Sequence, residues 1–147
     1  MKKLFVILAI LLIMLFSGCA ADASEEVHEI TERFFAMQMF ELFVEPEEFM
    51  GRTIRYEGLF ATRTWTTTGE DFHMVYRYTA GCCEPMPEPL GLEIYLNDID
   101  PVPEGAWVEI TGILERFEVE GTGFLRLSAI SMVEKDERGM ELVAGLN

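Results

Sequence analysis

The sequence predicts a mainly β domain, in which five short strands curl into a small barrel behind a short mixed amino-terminal segment. Three observations lead there. From Gly51 onward apolar residues recur with a period of two, as in strands with one buried face. The alternating runs are separated by Gly, Pro, Asn and Asp clusters that make turns. All five runs fall within roughly eighty residues, too close together for the crossover helices of a parallel α/β sheet. An antiparallel sandwich is the alternative, using the same strands without closure.

Thr53–Phe60 opens the series, with Ile54, Tyr56 and Phe60 on one parity and Thr53, Arg55 and Glu57 on the other. A turn at Gly69-Glu70, after Thr66-Thr67-Thr68, leads into Phe72–Tyr78. There Phe72, Met74, Tyr76 and Tyr78 oppose His73, Val75 and Arg77, so both faces are expected to touch protein. Leu92, Ile94 and Leu96 then alternate with Glu93 and Tyr95, between Gly91 and Asn97-Asp98. After Pro101, Pro103 and Gly105, Val108, Ile110 and Leu114 share a parity opposite Glu109, Thr111 and Glu115. Gly112 interrupts this face without changing register, which predicts a bend or a close strand approach. The fifth strand follows Glu120-Gly121-Thr122-Gly123 and sets Leu125 and Leu127 against Arg126 and Ser128. Beyond Ala129 the alternation fails at Ile130, Met132 and Val133, which predicts a bulge. Trp65 and Trp107 are expected at the barrel ends, with Phe60, Phe72, Tyr76 and Phe117 filling its volume.

Upstream, Val27, Ile30, Phe34 and Met37 recur at helical spacing, while Thr31, Phe34 and Phe35 equally suit an extended start. Glu45-Pro46-Glu47-Glu48, with proline near a first turn, predicts a helical turn within Met39–Phe49. Met37 and Met39 are assigned to packing, which flexible thioethers suit. The last residues are charged and then turn weakly apolar at Met140, Leu142 and Val143, a tail that either packs or frays.

The first nineteen residues carry a different message. Lys2 and Lys3 precede an apolar run from Leu4 to Phe16, which ends in Ser17-Gly18-Cys19. The run is short for a membrane span, and small residues precede the thiol, as in a secretory lipoprotein signal. Phe16 stands where such signals commonly carry leucine. The expected organisation is a signal peptide over residues 1–18, a lipidated tether over 19–26, and a single domain over 27–147. Acyl chains on Cys19 would hold that domain at the outer face of a bacterial membrane.

Removal of residues 1–18 takes two of eleven basic residues and no acidic one, leaving nine against twenty-six and a formal charge of −17. Such a field repels nucleic acid and anionic headgroups alike, so neither is an expected partner. Scattered carboxylates are usually a solubilising surface and do not by themselves mark a cation site. Glu57, Glu93 and Glu109 fit the outward parity of a sheet, and the sequence shows neither a phosphate loop nor a serine triad.

The chemical feature that stands out is Gly81-Cys82-Cys83, followed by a proline-rich stretch. Two chemistries are open to it. The pair can supply thiolates to zinc or another thiolate-binding transition metal, with His73 from the preceding strand as a further ligand and His28 or Glu84 as weaker ones. Alternatively, in an oxidising compartment, the cysteines can form a strained vicinal disulfide or act in thiol redox chemistry. Tyr78, Tyr95 and Trp107 are the candidate ligand surface, since aromatics give broad contacts with a polar edge.

Four stretches carry a family resemblance: Glu45 to Gly58, Tyr76 to Cys83, Gly91-Leu92-Glu93-Ile94, and Trp107 to Gly112. They resemble small lipoproteins of Firmicutes type with paired cysteines. More distantly they are similar to the extracytoplasmic domain of DUF1980-type permease subunits, whose paired cysteines also precede a Gly-Leu segment. The resemblance covers most of residues 27–135. It departs at Glu84-Pro85-Met86-Pro87-Glu88-Pro89, where the permease relatives commonly have small residues and Asp. It implies an OB-like barrel and a part in a membrane permease system. The expected function is noncatalytic recognition at an exported membrane surface, assembling or regulating a permease, with a thiol redox protein as the alternative.

Overall fold

The computed structural model describes residues 26–80 and 86–145. The signal segment, Cys19, most of the tether, Cys82 and Cys83 lie outside the described residues. The described chain runs β1 (His28–Glu29), a 3-10 turn (Glu32–Phe34), α1 (Phe35–Val44), a second 3-10 turn (Pro46–Glu48), β2 (Thr53–Thr64), β3 (Asp71–Thr79), β4 (Glu88–Tyr95), β5 (Trp107–Val119), β6 (Thr122–Glu134) and β7 (Leu142–Val143).

The five long strands close on themselves. β2 pairs antiparallel with β3 and with β5, β3 with β4, and β5 with β6, while β4 and β6 close the barrel as a parallel pair. This is the five-stranded OB-like barrel expected from the sequence. β1 adds to β2 in parallel, and β7 adds to β3 in parallel.

Inward residues of every barrel strand meet in one core that includes Ile54, Val75, Leu92, Ile110 and Leu127. α1 closes one end of it. Its buried side, Phe35, Ala36, Met39 and Leu42, joins the same core, and Phe35 sets its ring edge-on to Tyr56 at 5.8 Å. Met39 and Leu42 are fully buried, each contributing about 1.5–3 kcal/mol of apolar transfer, whereas Met37, also assigned to packing, is half exposed because it lies on the outer side of α1. Pro46 occupies the first turn of the short 3-10 helix after α1, where its missing N–H costs nothing. The helical turn expected within Met39–Phe49 is therefore present, and α1 precedes it, starting at Phe35.

Both irregularities read from the sequence are present. A Cβ at Gly112 would sit 2.7 Å from the Ser128 carbonyl oxygen, so only glycine permits the approach of β5 to β6 there. Thr111 pairs with Ser131 while Gly112 pairs with Ala129, which leaves Ile130 as the extra residue of a bulge. β4 starts at Glu88, earlier than the apolar alternation indicated, because Pro89 lies within it opposite Tyr78. The tail packs: Val143 is buried, and the Tyr78 N–H donates to the Glu141 carbonyl at 2.7 Å.

Inside the barrel one hydroxyl ties three strands. Tyr56 Oη of β2 donates to the Val75 carbonyl at 2.8 Å and accepts from the Leu92 N–H at 3.2 Å, bridging the facing pair of β3 and β4. Burial pushes this phenol above its ordinary range. A Cβ at the neighbouring Gly91 would fall 2.7 Å from the Tyr76 Cα, so the two strands are pressed together beside the hydroxyl. Tyr56→Phe keeps the ring but orphans two buried backbone groups, and is expected to lower unfolding free energy by about 2–4 kcal/mol. Urea unfolding, with the midpoint lowered and the slope unchanged, is the check.

Candidate functional site

A groove of about 470 Å³, within the size range of ligand pockets, runs across the outer surface beside the turn end of the β2–β3 hairpin. β3 contributes Asp71, Phe72 and His73, and β4 contributes Glu93 and Tyr95. The β2–β3 turn supplies Trp65 and Glu70, the end of β5 supplies Phe117 and Glu118, and β6 supplies Arg126.

The walls are aromatic, and they hold Phe72 and Phe117, which the sequence reading assigns to the barrel interior. Trp65 lies 4.6 Å from the Phe72 ring and 5.0 Å from Phe124, which in turn lies 5.8 Å from Phe117. Trp65 reaches this position because its backbone closes the turn: its carbonyl accepts from the Gly69 N–H and its N–H donates to the Glu70 carbonyl, both at 2.8 Å. The β5–β6 hairpin places Phe117 directly opposite Phe124 and turns through Glu120 and Gly121, both with positive φ.

The polar groups are unequal. Arg126 stands between Tyr95 and Phe117, its guanidinium carbon 4.6 and 4.8 Å from the two ring centroids, while Nε donates to Glu115 at 2.6 Å. Glu93 faces Arg126 across the parallel β4–β6 pairing. Burial pushes the Glu93 carboxyl up to about 7, and the positive field of Arg126 only partly opposes it. Glu70, Asp71 and Glu118 complete an acidic lining that holds a single guanidinium.

The sequence candidates separate in space. Tyr95 is half exposed and lines the groove. His73 also reaches it, but stacks on Phe60 at 5.4 Å with Nδ1 3.1 Å from Thr62 Oγ1. It sits six residues before Thr79, the end of β3, or about 20 Å of strand. Among the described residues no group of three His, Cys, Asp or Glu is placed to hold a metal ion. Tyr78 packs edge-on to Tyr76 at 5.2 Å, away from the groove, and their hydroxyls lie 3.3 Å apart. Trp107 corrects the sequence reading: it is 1% exposed and cannot present a ligand surface. Its Nε1 donates to Glu57 at 3.1 Å, and its ring covers the guanidinium of Arg77. Trp65, Glu93 and Arg126 were not singled out as ligand-binding. Two of them occupy ordinary outward strand positions, and the third stands just before a turn.

The model of the DUF1980 C-terminal domain matches residues 14–138. The chain belongs to the DUF1980 C-terminal domain family. No match was found among curated proteins. In this DUF1980 C-terminal domain the matched span takes in β1 through β6, and with them the whole barrel and the groove, and ends before β7.

Proposed function

We propose that this DUF1980 C-terminal domain is a noncatalytic recognition module, lipid-anchored through Cys19 at the extracytoplasmic face of a bacterial membrane. Its groove takes a positively charged segment of a partner protein, a permease subunit being the partner that the resemblance suggests. The observation that carries this reading is the lining itself. Four carboxylates, Glu70, Asp71, Glu93 and Glu118, share it with one guanidinium, already engaged by Glu115. Aromatic walls beside carboxylates suit Lys and Arg side chains, whose charge pairs with the acids while the rings attract the cation. The same field repels a phosphate backbone. Barrels of this topology commonly bind ligands on the face of their second and third strands, between the adjoining loops, which is where this groove lies.

Cys82 and Cys83, on the connection between β3 and β4, are proposed as a second site for zinc or another thiolate-binding metal, with thiol redox chemistry as the alternative.

Titration with hexalysine is the test, followed by Trp65 fluorescence. Binding is expected to weaken about tenfold between roughly 50 and 300 mM salt. Asp71→Asn with Glu118→Gln should weaken it by a similar factor, and hexaglutamate should give no response. A silent Trp65, or binding indifferent to these substitutions, would sink the groove reading.

A further inference from the structure

We propose that the outer stripe of α1 docks into the interfacial region of the bilayer that anchors the chain, laying the domain on the membrane with the helix beneath it. The proposal rests on lipid attachment at Cys19.

Met37, Phe40 and Val44, at i, i+3 and i+7, form a stripe on the side of α1 opposite its buried residues, and Phe43 flanks it. These four are between 43% and 56% exposed, although the other side of the same helix is already buried in the barrel. Single exposed apolar residues are ordinary, whereas a contiguous stripe of large ones marks an interaction surface. α1 carries one charged residue, Glu41, in a chain of formal charge −15. Glu41 borders the stripe between Met37 and Val44, and Glu45, Glu47 and Glu48 follow its end, so the uncharged area is the stripe itself. Arg33 just ahead of it extends its guanidinium over the Phe34 ring at 5.3 Å, a cation placed for a headgroup phosphate at the edge of the apolar stripe.

The position of the anchor selects lipid over a protein as the occupant. Seven residues separate Cys19 from Val27, eight steps of chain, so covalent geometry limits the attachment point to about 28 Å from the start of the domain. α1 follows within eight residues more. A helix held this close to the bilayer meets it as an intramolecular event at high effective concentration, so even a short stripe suffices.

The test uses the full chain, acylated in its producing cell, carrying Phe40→Trp and reconstituted in phosphatidylcholine vesicles with or without acyl chains brominated near the headgroup. Phe40 is half exposed, so the larger ring disturbs no core contact, and the parent chain supplies the baseline from Trp65 and Trp107. Emission of the introduced indole should fall at least about twofold on bromination, and adding Met37→Ser, Phe43→Ser and Val44→Ser should restore most of it. Mass analysis of the same sample reads the acyl group on Cys19. Acylated protein with no quenching overturns the docking and leaves the anchor standing. Absence of acyl mass on Cys19 overturns the anchor and the docking with it. Shielding of the indole only after membrane proteins are added back assigns the stripe to a protein and overturns the lipid proposal.

Discussion

Replacing Arg77 with alanine is expected to lower the stability of the domain by about 3–4 kcal/mol, one of the largest effects of any single substitution on its charged residues. Its side chain is 2% exposed and closes the barrel where the two ends of the domain meet. Nε donates to the Glu57 carbonyl at 2.7 Å, and Nη1 donates to Glu32 Oε2 at 3.1 Å and to the Met140 carbonyl at 3.2 Å. The guanidinium is stacked between Phe35 and Trp107, 5.0 and 4.8 Å from their centroids. Removing it opens a cavity and orphans the Glu57 and Met140 carbonyls. The loss falls toward the lower end for a broken buried ion pair, because the partly exposed Glu32 is rehydrated once its partner is gone.

Glu32 also accepts the Met140 N–H at 2.7 Å, so one carboxylate fastens the tail to the amino-terminal turn. That bond, with Arg77 behind it, holds the Glu32 carboxyl below its ordinary range. The sign follows from linkage: the stabilisation is present above the unfolded carboxyl range and is lost as pH falls through the folded value. In Arg77→Ala, urea midpoints should fall with an unchanged slope, and amides of β7 should lose exchange protection before those of the barrel.

Why Arg77 escaped the sequence while the barrel around it did not is a matter of parity. Alternation locates strands well when one face is apolar, as in Leu92, Ile94 and Leu127, which are all buried. In β3 both faces are covered: Val75 belongs to the main core, and Tyr76 to a second cluster with Leu59, Ala61 and Trp107. A cation on such a strand reads as a solvated residue, and only the tertiary arrival of Glu32 and Met140 gives it partners. The bulge at Ile130 was legible because it breaks the alternation locally. The packing of Val143 was not, since two residues of β7 carry no period. The groove was half legible for the same reason. Tyr95 stands out as an aromatic on an outward position, whereas Trp65 becomes a wall only when the β2–β3 turn brings it against Phe72 and Phe124. Glu93 looks like any outward carboxylate until β6 closes beside it. The thiol pair Cys82-Cys83 is a purely sequence-borne feature, outside the described residues.

Glu93→Gln is expected to stabilise the domain above neutral pH while leaving it nearly unchanged at about pH 4, the reverse of the usual loss of a carboxylate. Burial raises the folded carboxyl to about 7 from an ordinary value of 4.5, so the folded state binds the proton more tightly than the unfolded chain. Stability contributed by this group is therefore fully present below about 4.5 and lost as pH rises through about 7. The full shift would correspond to about 3 kcal/mol, solvent in the groove screens it to a smaller value, and the amide, neutral at every pH, does not incur that loss. Thermal or urea unfolding of parent and variant at about pH 4 and about pH 8 is the measurement. Curves that coincide at both values would show that water reaches the Glu93 carboxylate freely. The same linkage bears on the groove as a receptor for cations. A lysine or arginine entering beside Glu93 favours the ionised carboxylate and lowers its pKa, so binding at pH 6 must release a proton and affinity must rise as pH passes through 7. Hexalysine affinity in the parent should accordingly increase from pH 6 to pH 8, while Glu93→Gln flattens the dependence and binds more weakly at pH 8. A pH profile unchanged by the substitution would place the cation elsewhere on the acidic surface.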